Sequence, residues 1–131
     1  MSRGNVDVVL ANSAAFSRRD VNAMLEFYAP DAVATDCRQV GWGEFRGQEA
    51  LRSYYQGLFD NAAWLHEDLE VVSEQDDTVL ASCRLTARLV DPPDAGEVSF
   101  DYALRVRLAG GLIVSIEIYD DAQAAAAAMA D

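Results

Sequence analysis

The sequence predicts an α+β domain in which three N-terminal helices pack on a curved, mainly antiparallel sheet. Two observations carry this. Apolar residues recur at helical spacing through the first sixty positions, and from Trp64 onward they alternate with polar ones at a period of two through four long segments. The length of 131 residues fits one domain, and a hydrophobic fraction of 51% is enough to bury a core without disulfides.

The first helix is marked by Val6, Val9, Leu10, Ser13 and Phe16. A break at Ser17-Arg18-Arg19 follows, and Asp20 stands where an N-cap belongs, ahead of a second helix carrying Val21, Met24, Leu25 and Tyr28. Pro30 stops that helix, and residues 32–36 read as a short strand. A glycine-rich loop from Val40 to Gly47, bearing Trp42 and Phe45, leads into a third helix with Leu51, Tyr54, Tyr55, Leu58 and Phe59 on one stripe. Four strands then span 64–73, 78–91, 96–108 and 112–119, joined by EQDD, DPPDAG and Ala109-Gly110-Gly111. Aligning their apolar faces fixes the register, because a one-residue slip would turn every side chain over. Residues 121–131 are an Ala-rich helix, or a frayed tail, which closes the mouth of the fold if it docks.

Composition excludes several chemistries. All ten basic residues are Arg, so neither a Schiff-base lysine nor a Walker-type phosphate loop is available. One His and two Cys exclude an H-E-x-x-H site or a paired C-x-x-C zinc site, and no metal or cofactor is expected. A net charge of −12 opposes binding to nucleic acid or to an anionic membrane surface. The N-terminus lacks a signal-peptide apolar region, and no window approaches the roughly 18 apolar residues of a membrane span. With Cys37 and Cys83 read as buried thiols of a reducing compartment, a cytoplasmic protein is expected.

The segments RRDVNAMLEFYAPDAVATD (18–36), FRGQEALRSYY (45–55) and LRVRLAGGLIVSIEIYDDA (104–122) resemble the SnoaL-like branch of the nuclear-transport-factor-like superfamily, which includes ketosteroid isomerases, polyketide cyclases and limonene epoxide hydrolase. The resemblance spans nearly the whole chain. It implies a single domain over 1–131, a cone-shaped fold around an apolar interior pocket, and a homodimer. The outer sheet face, where Arg84, Arg88, Arg105 and Arg107 alternate with Glu97, Asp101 and Glu117, is the expected dimer surface.

Asp36 follows Asp20 by sixteen residues, the interval that in ketosteroid isomerases separates the helix-2 Asp from the general base. It is the expected catalytic carboxylate, because partial desolvation makes such a group a better acid or base; the plainer alternative is an Asx-type turn at Cys37. Tyr55 is the expected catalytic hydroxyl, with Tyr54 beside it where those enzymes place pocket aromatics. The resemblance also shows departures. The oxyanion-hole Tyr of ketosteroid isomerases is replaced by Asn12, and their protonated Asp falls on Leu104, so steroid isomerisation is not expected.

Asn12, Tyr28, Trp42, Tyr54, Phe59, Glu67, Phe100, Tyr102 and Ile116 are the expected substrate-binding residues. Glu67 enters through register, since it shares a face with Leu65, Leu69 and Val71. The alternate register would turn Trp64, His66 and Asp68 inward as a His–Asp pair. No Arg is expected inside. Two functions remain open: a cofactor-independent isomerase, cyclase or hydratase acting on a small neutral hydrophobic molecule, or a non-catalytic ligand-binding or dimerisation module of the same fold.

Overall fold

The computed structural model describes residues 4–38, 43–91, 94 and 96–130. Helix α1 (Asn5–Ser17) ends where Arg19 takes a left-handed backbone (φ 57°) and sends Nη1 to the carbonyl of Ala62 at 2.7 Å. Asp20 caps α2 (Val21–Leu25) as expected, its carboxylate accepting from the Ala23 amide at 3.1 Å. The buried side of α1 carries Val8, Val9, Asn12, Ser13, Ala15 and Phe16, whereas Leu10 is exposed. The apolar stripe is therefore rotated from the expected one.

Tyr28 does not end a helix. It opens strand β1 (Tyr28–Asp36), which tolerates Pro30 because pairing with the neighbouring strand is irregular between Tyr28 and Val33. Gln48 fixes this corner, its side-chain amide donating to the carbonyls of Leu25 and Tyr28 at 3.2 and 3.0 Å. The glycine-rich loop contributes a short strand, β2 (Gly43–Arg46), before α3 (Gln48–Asp60). Strands β3 (Ala62–Gln75), β4 (Thr78–Leu89), β5 (Glu97–Ala109) and β6 (Leu112–Tyr119) follow, then α4 (Ala122–Ala130).

The six strands form one curved sheet in the order β2-β1-β6-β5-β4-β3, antiparallel except for β1 against β6. Helix α1 lies over β3 and β4, and α3 over β1, β2 and β3, which defines the inner face. One inner row runs Leu69–Cys83–Tyr102 and the next runs Glu67–Leu85–Phe100. Glu67 is thus turned inward, with His66 and Asp68 outside. The floor is small, with Ala32, Ala34, Ala81 and Ala87 all buried.

Three expectations are corrected here. Phe100 is 48% exposed, because β5 extends past its last pair with β6, Ala103–Tyr119, and the side chain projects beyond the covered part of the sheet. Cys37 is exposed rather than buried, while Cys83 is buried as expected. The Ala-rich segment forms helix α4, one of the two expected alternatives, but it does not close a mouth. Capped by Asp121, it lies on the outer face, where Ala125 packs with Leu80 and Ala103.

Candidate active site

Three groups of polar side chains meet the inner face. The first joins α1, β1 and α3. The Tyr28 and Tyr55 hydroxyls lie 2.9 Å apart, and Asn12 Nδ2 donates to Tyr28 Oη at 3.4 Å. Burial pushes Tyr28 up to about 12 and Tyr55 well above the usual phenol range, so both hydroxyls keep their protons at neutral pH.

The second group centres on Glu67. The Ser13 hydroxyl donates to Oε1 at 2.6 Å and the Tyr102 hydroxyl donates to Oε2. Ser17 adds a backbone contact, its hydroxyl accepting from the Glu67 amide at 2.9 Å. Desolvation raises the Glu67 carboxyl above its ordinary range, and the two hydroxyl donors only partly offset it. Tyr102 is raised well above its usual value, first by burial and then by the adjacent Glu67 charge. Glu67 also lines a groove of about 490 Å³ between α1 and β3, together with Leu10, Ser13, Arg18 and His66. It is therefore an inward carboxylate on a residue that borders a groove along the edge strand β3.

The third group is Asp36 with Arg38. The Asp36 side chain is 1% exposed at the end of β1, and Arg38 grips it with Nε on Oδ1 at 2.8 Å and Nη2 on Oδ2 at 2.7 Å. The Arg38 amide reaches Oδ1 at 3.2 Å, the Asx-type turn that stood as the plainer alternative. The expectation that no Arg lies inside is thereby corrected. Arg38 is only partly exposed and feels the Tyr54 and Tyr102 hydroxyls as well as its carboxylate. Sequence gave no sign of this, because a residue just past a strand end can turn to either face.

The remaining expected residues belong to the hydrophobic core or pack against it. Tyr54 stacks on Phe45 with centroids 4.4 Å apart, Tyr55 packs against Phe16 and Phe59, and Ile116 is buried. Trp42 lies outside the described residues. His66 and Asp68 do pair, Nε2 to Oδ1 at 3.0 Å, but on the outside of the sheet and exposed. Ser13 was legible as a helix-stripe residue but not as a partner of Glu67; the available signal was a hydroxyl at a buried helical position. Among the described residues, no group of three or more His, Cys, Asp or Glu is placed to hold a metal ion.

This geometry can be set beside known proteins. Residues 9–116 match the family model of the SnoaL-like domain. The chain belongs to the SnoaL-like family. Its fold is shared with an uncharacterised cystatin-fold protein from Novosphingobium aromaticivorans, at 21% identity and TM-score 0.76 over 90% of this chain and 97% of that one. It is shared equally with a proposed SnoaL-like polyketide cyclase from Jannaschia sp. CCS1, at 20% identity and TM-score 0.76 over 98% and 96%. The epoxide hydrolase/cyclase-like enzyme SalBIII, of pyran ring formation in salinomycin, aligns at 18% identity and TM-score 0.77 over 88% of each chain. No curated protein matches. These likenesses establish the cone-shaped α+β fold of this SnoaL-like protein.

Proposed function

We propose that this SnoaL-like protein is an acid–base enzyme of the cyclase or isomerase type, acting on a small, neutral, hydrophobic molecule, with Glu67 as the proton-transfer group. The observation that carries the reading is the Glu67 site itself: a partly buried carboxyl with raised proton affinity, gripped by Ser13 and Tyr102, on a residue that borders a groove. A carboxyl tuned upward toward the working pH transfers protons more effectively than an ordinary one. Glu67 removes a proton from the carbon next to a substrate carbonyl, leaving an enolate, and the same proton returns from Glu67 to the substrate at a second position, which regenerates the carboxylate. Asp36 takes the part of anchor for Arg38 rather than of base, since its carboxylate is paired with a permanent cation, whereas Glu67 meets only neutral hydroxyls. Leu10 and Leu69 supply the apolar side of the groove.

Deuterium incorporation into a small cyclic ketone such as 2-tetralone, followed by NMR in D2O, tests this. Glu67→Gln is expected to lower the rate about 100-fold or more, with Asp36→Asn affecting it less. An unchanged rate in Glu67→Gln, or no catalysed exchange in the wild type, would sink the reading.

A dimerisation role has its own support. The outer face presents Trp64, 39% exposed and opposite Arg88, and further along the same face the Arg84–Asp101 pair with Nε to Oδ1 at 2.7 Å, a surface able to match its own two-fold copy. We propose the same face as a homodimer contact, with α4 at its margin. Charge repulsion argues against nucleic-acid or membrane partners, and two free cysteines favour the cytoplasm. No helix among the described residues is long and apolar enough to cross a membrane.

A further inference from the structure

Arg88 and Glu97 stand directly opposite each other across β4 and β5 on the outer face, both exposed, yet among the described residues neither makes an ion pair or a side-chain hydrogen bond. Four positions further along the same strands, the matching neighbours Arg84 and Asp101 do close on each other, Nε to Oδ1 at 2.7 Å and Nη2 to Oδ2 at 3.0 Å. Between the two pairs lie only the hydroxyls of Thr86 and Ser99. The face therefore holds one closed and one open pair of opposite charges. Trp64, 39% exposed, stands beside the open pair as the β3 neighbour of Arg88. Helix α4 lies over Leu80 and Ala103, at the other end of these strands, and leaves the patch uncovered.

Symmetry decides what such a face can meet, because a two-fold contact is reciprocal. An axis crossing the strands over Thr86 stacks Arg88 on Arg84 and Glu97 on Asp101, like charge on like. An axis parallel to β4 and β5 and running between them sets Arg88 against Glu97 of a second copy, Arg84 against its Asp101 and Thr86 against its Ser99. Sheets pack face to face at about 10 Å, a gap that an Arg and a Glu span end to end. We infer that two copies of this chain recognise each other by a reciprocal Arg88–Glu97 exchange about a two-fold axis lying between β4 and β5. Trp64 flanks each exchanged pair, over the stretch of β5 that β6 leaves unpaired beyond Ala103–Tyr119. The inference rests on the homodimer contact proposed above and names its axis and its recognition pair. It does not involve proton transfer by Glu67.

Sedimentation equilibrium of the full chain tests it. The wild type is expected to dimerise. Arg88→Glu or Glu97→Arg alone is expected to weaken the dimer about 100-fold or more, because each sets like charges face to face twice. Mixing the two variants is expected to restore a dimer, since every exchanged contact between them joins opposite signs, and so is placing both substitutions in one chain. A wild-type dimer that either single variant leaves intact overturns the exchange, while the homodimer reading stands. Loss of the dimer in both variants without recovery on mixing overturns the axis between β4 and β5. A wild type that stays monomeric at about 100 μM, where a specific dimer forms, overturns both readings. Should a charge reversal fail to fold, Arg88→Gln and Glu97→Gln take its place, each expected to weaken the dimer about tenfold, and an unchanged dimer overturns the exchange.

Discussion

The Ser13 hydroxyl donates to Glu67 Oε1 at 2.6 Å and so ties helix α1 to the edge strand β3. This bond favours the charged form of a carboxyl that burial otherwise disfavours. Ser13→Ala is therefore expected to raise the Glu67 pKa further and to cost about 1 kcal/mol of stability at neutral pH. Carboxyl-carbon NMR titration and urea unfolding measure the two effects. A pKa that stays put or falls would show that Ser13 does not support the charge.

The Glu67 shift also makes a linkage prediction. The folded pKa lies above the unfolded one, so the folded state holds this proton more tightly. The stabilisation is fully present below the unfolded value near about 4.3 and is lost as pH rises through the folded value. Gln does not titrate. Glu67→Gln should accordingly gain stability relative to the wild type as pH rises from 4 through that window, then hold a constant difference. Paired melting curves across pH check the sign, and a difference independent of pH would contradict it.

These two residues also show what sequence could and could not disclose. The inward turn of Glu67 was legible, because period-two alternation around Leu65, Leu69 and Val71 admits one economical register and the structure adopts it. Its partners were not, since Ser13 is 54 positions away and only the packing of α1 brings it close. Phe100 and Leu10 sit at correct periods yet are exposed, because burial near the margin of a layer depends on how far the neighbouring element extends. The helix reading of Tyr28 failed for a local reason: α2 is only five residues long, and β1 starts before its proline rather than after it.

At the end of β1, the two members of the Asp36–Arg38 pair are unequally buried, with 1% of the Asp36 side chain exposed against 26% of Arg38. Arg38→Gln removes the bidentate cation from a buried carboxylate, whereas Asp36→Asn leaves a guanidinium that can still reach water. The Arg38 change should be the more damaging, at about 2 to 4 kcal/mol against about 1 to 2 for Asp36→Asn. Chemical denaturation of both variants ranks them. The reverse order would mean that Arg38 finds no adequate hydration once its partner is neutral.

Helix α4 yields the remaining prediction, because it lies across the sheet from every polar group of the candidate site. It covers Leu80 and Ala103 on the outer face, and Ala125 is its buried residue there. Nine residues, nearly all Ala, hold themselves in place through the Asp121 cap, whose carboxylate accepts from the Ala124 amide at 2.8 Å, and through this small apolar contact. Removing residues 122–131 should cost about 1 to 2 kcal/mol for the apolar area returned to water and should raise binding of a hydrophobic dye such as ANS. The rate of 2-tetralone exchange should be unchanged, since Glu67, Ser13 and Tyr102 lie on the opposite face. A loss of rate larger than the loss of stability can explain would mean that α4 reaches the site, as a helix closing the mouth would.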